Sequence, residues 1–265
     1  MNPAEFANIA RSEQQLWWYR GMNQILFRLI ERHSTARPVQ VMEGGCGTGW
    51  LARQLEQRFG WHVHALDLDS SGLAFAQGMG LERLIQGDLR SLPFATGSFD
   101  AVLSMDVIVH LERGEEWQAV DELVRVLRPG GEMFIRVPAL DVLRSRHSMF
   151  AHERQRFTRT RLMQTFERAG IEVERCTYAN SLLLPVAFAK FRIWEPLTNA
   201  EPQSGVLPVA PWLNAMLHAP LQMEAACIGS GINFPAGQSL LLMGRKRAQG
   251  AAASGSSRAR SSASL

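Results

Sequence analysis

The sequence predicts an α/β fold: a doubly wound, mostly parallel sheet of seven strands, with helices on both faces and a helical insertion between the last two strands. Three observations lead there. From residue 37 to 137 short β-type runs alternate with helical patterns, as right-handed βαβ units covered on both faces require. The stretch VMEGGCGTGWLARQL, residues 41 to 55, sets four glycines and one acid between an apolar run and an amphipathic one. A final β-type run, SLLLMGRKR, arrives only after residue 239, roughly sixty residues beyond its predecessor.

Strands are expected at VQVM (39–42), HVHAL (62–66), RLIQ (83–86), DAVLSM (100–105), EMFIRV (132–137), IEVERCTY (171–178) and SLLLMGRKR (239–247). Helical patterns fall at 49–59, 71–79 and 115–127, the last stopped by Pro129 and the Gly130-Gly131 pair. TRTRLMQTFERAG makes a further helix closed by Gly170. The insertion holds LLLPVAFAKFRIW and APWLNAMLHAPLQMEAACIG, too apolar for a solvated loop and therefore expected to pack as helices. Residues 248–265 are low in complexity and expected to be disordered.

Composition narrows the function classes. With 265 residues the chain can bury a full core, as one domain with an insertion. The formal charge of +3 owes much to Arg245, Lys246, Arg247, Arg258 and Arg260 at the C-terminal end, so no basic stripe argues for nucleic acid. Cys46, Cys176 and Cys227 stand apart without CxxC spacing, against a zinc site or a disulfide framework and in favour of a reducing, cytoplasmic setting. No run approaches the ~20 apolar residues of a membrane span, so a soluble chain without stable membrane insertion is expected. No His/Cys/Asp/Glu cluster has metal spacing, and no metal is expected.

The glycine loop carries the chemistry. A dinucleotide fingerprint, G-x-G-x-x-G, would need glycine where Trp50 stands, and the P-loop pattern G-x-x-x-x-G-K-[ST] is absent. What remains is Gly45, Gly47 and Gly49 spaced G-x-G-x-G and preceded by Glu43. This resembles motif I of the class I S-adenosylmethionine (SAM) dependent methyltransferases, of the type acting on small molecules. The resemblance implies a Rossmann-like sheet with its last strand antiparallel. It also implies SAM as cofactor, with S-adenosylhomocysteine as product. Gly45 and Gly47 would admit the cofactor close to the backbone, Gly49 would let the next helix start near the sheet, and Glu43 would face the amino end of the methionine moiety through water.

The companion motifs arrive in the family's order. In HALDLD, Asp67 can accept from both hydroxyls of a ribose, with Leu68 beside it and Asp69 a weaker candidate; Asp67 could also serve only at a helix start. IQGDLRSLPF resembles the adenine motif, with Asp88 accepting from the N6 amine and the Leu89 amide meeting N1. SFDAVLSMDVIVHL resembles the fourth-strand motif, where Ser104 and Met105 would line the cofactor, and RVLRPGGEMFIRVP resembles the element entering strand 5. Together these matches span about residues 39–137. QQLWWYRGMNQILFRLI looks like the aromatic helix entry of many small-molecule members. There Arg20 would pair with the cofactor carboxylate and Trp18 or Tyr19 would cover the sulfonium, unless the tryptophans are core and Arg20 is surface. HERQRFTRTRLMQTFERAGIEV is similar to the H-x-R-R-[FY]-[ST] run of these proteins, but Gln155 separates Arg154 from Arg156 where the family has an adjacent basic pair.

Methyl transfer is an in-line displacement that disperses charge, so alignment and exclusion of water matter most, with a base only when the acceptor must lose a proton. The candidates for catalytic contact are His110, just after strand 4, His152, after strand 5, and Tyr19; His147 lies on the same rim. Each histidine could instead hold a loop. The expected organisation is a helical lid (1–36), a SAM-binding core (37–178), a helical cap on the substrate side (179–237), the final strand (238–247) and the tail (248–265). Phe188, Trp194, Trp212 and Met216 are the expected pocket lining. The reading is methyl transfer to a small hydrophobic acceptor, natural-product or lipid-like, by a monomer or homodimer. The alternatives are a non-methyl reaction such as cyclisation or rearrangement on the same fold, and a binding protein with a vestigial site.

Overall fold

A computed structural model describes residues 4–34, 40–198 and 201–248. Helices α1 (Ala4–Ser12) and α2 (Trp17–His33) precede the sheet. There follow β1 (Gln40–Gly44), α3 (Trp50–Phe59), β2 (His62–Asp67), α4 (Ser70–Gly78), β3 (Leu84–Gln86) and β4 (Phe99–Met105). Next come α5 (Glu116–Val126), β5 (Leu127–Pro138), α6 (Arg146–Phe150), α7 (Arg159–Arg168) and β6 (Ile171–Ala179). The insertion contributes α8 (Leu184–Ala189), a wider π-type turn over Lys190–Trp194, α9 (Glu195–Leu197) and α10 (Pro211–Ser230) before β7 (Ser239–Lys246). Val39, expected in the first strand, and residues 249–265 of the expected disordered tail lie outside the described residues.

The seven strands form one sheet in the order β3-β2-β1-β4-β5-β7-β6, with β7 antiparallel to both its neighbours and the pairs among β1 to β5 parallel. This is the predicted Rossmann-like sheet. Its order reverses between β1 and β4, so the connections leaving those strands diverge and open a crevice at their C-terminal ends.

Alternate strand residues feed two cores. On one face Val41, Val63, Ala101 and Phe134 pack under α2, α3 and α10; on the other Met42, Leu66, Val102 and Ile135 pack under α5 and α7. Met22, Ile25, Leu26, Leu29 and Ile30 of α2 are buried at helical spacing, each worth ~1.5–3 kcal/mol in burial.

Two local expectations are corrected. The RPGG stretch does not stand wholly between a helix and a strand: β5 already begins at Leu127, which pairs with Phe99, and the register shifts before Ala101 meets Glu132. Arg128, Pro129 and Gly130 are exposed there, a bulge that tolerates a residue with no N–H to donate. The insertion also divides. Its first half approaches the crevice, whereas α10 lies against α2, with Leu221, Ala225 and Ile228 joining the α2 core. Gly21 makes that crossing close, since a Cβ there would sit 2.3 Å from Leu221 Cδ1.

Candidate active site

The crevice contains one large cavity of about 1070 Å³, at the upper end of the ~300–1,000 Å³ typical of small-molecule sites. Its floor is the glycine loop. The Gly45 and Cys46 amides both donate to the Leu66 carbonyl, at 2.7 and 2.9 Å, tying the loop to the end of β2. Gly45 adopts φ +81°, and a Cβ on it would fall 2.2 Å from Val107 Cγ2, so glycine is required by the close approach of the chain leaving β4. Ser104, expected to line the cofactor, is buried outside the cavity and donates instead to the Gly44 carbonyl at 2.9 Å.

Asp67 ends β2 inside the cavity and is buried. Its Oδ2 accepts from the Gly47 amide at 2.8 Å and its Oδ1 from the Asp69 amide at 2.9 Å, so it shapes the loop while each oxygen keeps a lone pair. Burial pushes its carboxyl up from the ordinary range. The helix-start role belongs to Asp69, which caps α4 by accepting from the Ser71 amide at 2.8 Å. Asp88 also lines the cavity, but Arg90 holds it through an ion pair of 2.7 Å that lowers its carboxyl, and the Arg90 amide donates to it at 2.8 Å. Leu68, Leu89 and Met105 complete this end, Leu68 exposed at the rim and the other two buried.

Glu43 is 2% exposed at the end of β1. Burial, then the negative charge of Asp67, pushes its carboxyl up to about 8, and its Oε2 has no partner among the described residues. Glu13, from the turn between α1 and α2, behaves alike: Thr48 Oγ1 donates to its Oε2 at 2.5 Å, its Oε1 has no described partner, and burial raises it to about 7. Facing them is Arg136, 5% exposed on β5. Its Nε donates to Asp106 Oδ2 at 2.7 Å, its guanidinium lies 4.9 Å from the Trp18 ring centroid, and its Nη1 has no described partner. Buried polar groups are normally satisfied. Orphaned atoms of both signs in one cavity therefore suit a ligand carrying both an ammonium and a carboxylate.

Trp18 and Tyr19 line the cavity, and burial raises the Tyr19 phenol well above its usual range. Arg20 does not line it. One residue along a helix turns the side chain by about 100°, so with Tyr19 and Asn23 facing inward Arg20 is exposed on the outside of α2, where its charge acts on His218 of α10. His110 is in the cavity wall. Its Nδ1 lies 3.2 Å from the His152 carbonyl, which can only accept, so Nδ1 carries the proton and Nε2 is the basic nitrogen. Burial holds the ring down to about 4. His152 itself, at φ +56°, is exposed and outside the cavity, and offers its backbone rather than its imidazole.

The opposite wall comes from α1, the 145–156 segment and the first half of the insertion. His147 Nδ1 accepts from the Gly205 amide at 3.0 Å and lies 3.6 Å from Glu5 Oε1, to which Ser204 Oγ donates at 2.8 Å. Burial lowers the His147 ring. Gln155, the residue that separates the two arginines, is buried and donates from Nε2 to the Leu111 carbonyl at 3.0 Å and to Glu116 at 3.3 Å, while the Arg154 and Gln155 amides donate to Val109. The segment thus clamps the turn that carries His110. Of the expected pocket lining only Trp194 reaches the cavity; Phe188, Trp212 and Met216 are exposed elsewhere. Among the described residues no group of three or more His, Cys, Asp or Glu side chains is placed to share a metal ion.

Glu13, Asp106 and Arg136 were not among the expected site residues. Arg136 had a legible signal, a charge inside the apolar run MFIRV; Glu13 had none, because only the packing of α1 and α2 over the glycine loop brings it to Thr48.

Residues 42–135 match a family profile described as a methyltransferase domain. A malonyl-[acyl-carrier protein] O-methyltransferase from Erwinia pyrifoliae is 33% identical over 112 residues, covering 40% of this chain and 40% of that protein. The chain matches less than half the length of each of the curated relatives compared. Among solved structures, the [4+2]-cyclase SpnF aligns with a TM-score of 0.57 at 18% identity, over 87% of this chain and 83% of that one. Phosphoethanolamine N-methyltransferase 2 of Haemonchus contortus, in complex with S-adenosyl-L-methionine, aligns with a TM-score of 0.54 at 19% identity, over 85% of this chain and 52% of that one. At such identities the likeness is one of fold.

Proposed function

We propose that this chain is a class I SAM-dependent methyltransferase, a reading supported by the methyltransferase-domain match and the curated relatives, and that it transfers a methyl group to a small hydrophobic acceptor held between the glycine loop and the insertion. The observation that carries the reading is the continuity of one cavity, from Glu43, Gly47 and Asp67 to Trp194 and Val206. The first end fits a nucleoside joined to an amino acid, and the second leaves room for an acceptor beside it.

SAM, when bound, supplies an electrophilic methyl on a sulfonium. Asp67 would accept from the ribose hydroxyls with the lone pairs the loop amides leave, and Asp88 with the Leu89 amide would meet the adenine. Glu43 and Glu13 would balance the ammonium, and Arg136 the carboxylate, in place of the surface residue Arg20. Trp18 and Tyr19 would close the site against water. His110, neutral with Nε2 basic, is the group able to take a proton from an acceptor hydroxyl or amine.

Calorimetry with SAM tests the cofactor assignment on the wild type and on Asp67→Ala and Asp88→Ala. Loss of affinity in Asp67→Ala is expected, and unchanged affinity in both variants refutes it. Screening lipophilic metabolites by mass spectrometry for the gain of one methylene, with S-adenosylhomocysteine formed in equal amount, identifies the acceptor. Product formed without S-adenosylhomocysteine would favour a rearrangement or cyclisation.

A further inference from the structure

The helical run 184–197, from α8 through the π-type turn to α9, leaves large apolar side chains in the open. Val186, Phe188 and Ile193 are about half exposed or more, Trp194 is 66% exposed and Leu197 77%. Isolated exposed apolar residues are ordinary, but a cluster on one short element marks a contact surface. The 141–143 turn packs beside it and adds the exposed Val142.

The charges around this cluster are biased. Lys190 and Arg192 lie within the run, both exposed. Two acids accompany them: Glu195, within the run, whose Oε2 accepts from the Arg146 amide at 3.0 Å, and Asp141, beside it, which pairs with Arg144 at 3.4 Å. Lys190, Arg192, Arg144 and Arg146 outnumber Glu195 and Asp141, leaving a local charge of +2, and the patch is cationic as well as apolar. Aromatic and aliphatic side chains interleaved with Lys and Arg on a helix are the composition of elements that lie in a membrane interface. No helix among the described residues is long and apolar enough to cross a membrane, and a helix of this length lying in the plane has no need to.

The patch is also continuous with the cavity, since Lys190, Phe191 and Trp194 line it from inside. We propose that residues 184–197 dock this chain on an anionic phospholipid bilayer, with the cavity mouth turned toward the lipid. The docking rests on the surface alone. Delivery of a lipophilic acceptor from the bilayer into the cavity rests in addition on the methyl-transfer reading.

Sedimentation with vesicles tests it. The full chain is expected to pellet with vesicles of phosphatidylglycerol mixed equally with phosphatidylcholine, to remain in solution with phosphatidylcholine alone, and to be released by salt. Brominated acyl chains should quench its fluorescence, and that quenching should drop in Trp194→Phe. Ile193→Glu/Leu197→Glu should stay in solution with both kinds of vesicle while keeping the wild-type melting temperature and SAM affinity; neither side chain lines the cavity. Arg192→Gln should bind about fivefold more weakly. Wild type that ignores the anionic vesicles, or a double variant that pellets as well as wild type, overturns the proposal. So does lipid-free self-association abolished by the double variant, which would make this face a contact between two copies. Vesicle binding without SAM binding would overturn the methyl-transfer reading and leave the docking intact.

Discussion

Replacing Glu43 by Gln keeps the shape of the side chain and removes its proton. In the ligand-free protein the Glu43 carboxyl is raised from an ordinary 4.5 to about 8, by burial first and Asp67 second. A carboxyl raised on folding contributes stability that is fully present below its unfolded value and is lost as the pH rises through the folded one. From 4.5 to about 8, at ~1.4 kcal/mol for each pH unit, the loss amounts to ~5 kcal/mol for wild type, and Glu43→Gln removes that dependence. Urea unfolding of the ligand-free proteins at a series of pH values reads it directly. Wild type should lose stability relative to the variant across that window, and parallel curves refute the reasoning. The same group should respond to a cationic ligand. At pH 7 a carboxyl of about 8 is ~90% protonated and the Glu13 carboxyl of about 7 is ~50% protonated. An ammonium placed between them should therefore expel about one proton or slightly more. The dependence of the SAM binding enthalpy on buffer ionisation enthalpy counts those protons, and Glu43→Gln should release roughly one fewer.

Gly45→Ala forces a φ of +81° on an alanine and sets its Cβ against Val107; it should cost ~2–4 kcal/mol of stability and weaken SAM binding at least tenfold, partly rescued by Val107→Ala in a double-mutant cycle. Gly21→Ala drives a methyl into Leu221, and a net loss of ~1–2 kcal/mol in urea is expected once alanine's better helix propensity is counted; a gain in stability would mean that α10 shifts freely on α2. His110 should stay neutral in NMR titrations down to about pH 5, because burial holds its ring near 4. The stability it confers as a neutral group is present above about 6.5 and lost as the pH falls through about 4, and an imidazole titrating near 6.5 would refute this account.

The sheet was legible because its signals are local. Alternating βαβ pattern, a glycine loop with Trp50 in place of a further glycine, and acids at the ends of strands all depend on backbone geometry that neighbouring residues impose. Glu43, Asp67 and Asp88 line the cavity because each ends or closely follows a strand that the pattern located.

Direction around a helix and contacts between distant segments were not legible in that way. Arg20 lies next to Tyr19 in the chain yet on the other side of α2, and the burial of that helix by α10 sets which side faces the cavity. His152 adjoins the site, but a left-handed backbone turns its imidazole outward and leaves its carbonyl to His110. Glu13, Thr48 and Arg136 converge from the α1–α2 turn, the glycine loop and β5. The local pattern of the chain thus settles which strands exist, how their ends carry acids and where the glycine turn falls. Packing of α1, α2 and the insertion over the strand ends settles which of those groups are desolvated, and desolvation is what shifts the protonation of Glu43, Glu13 and Asp67.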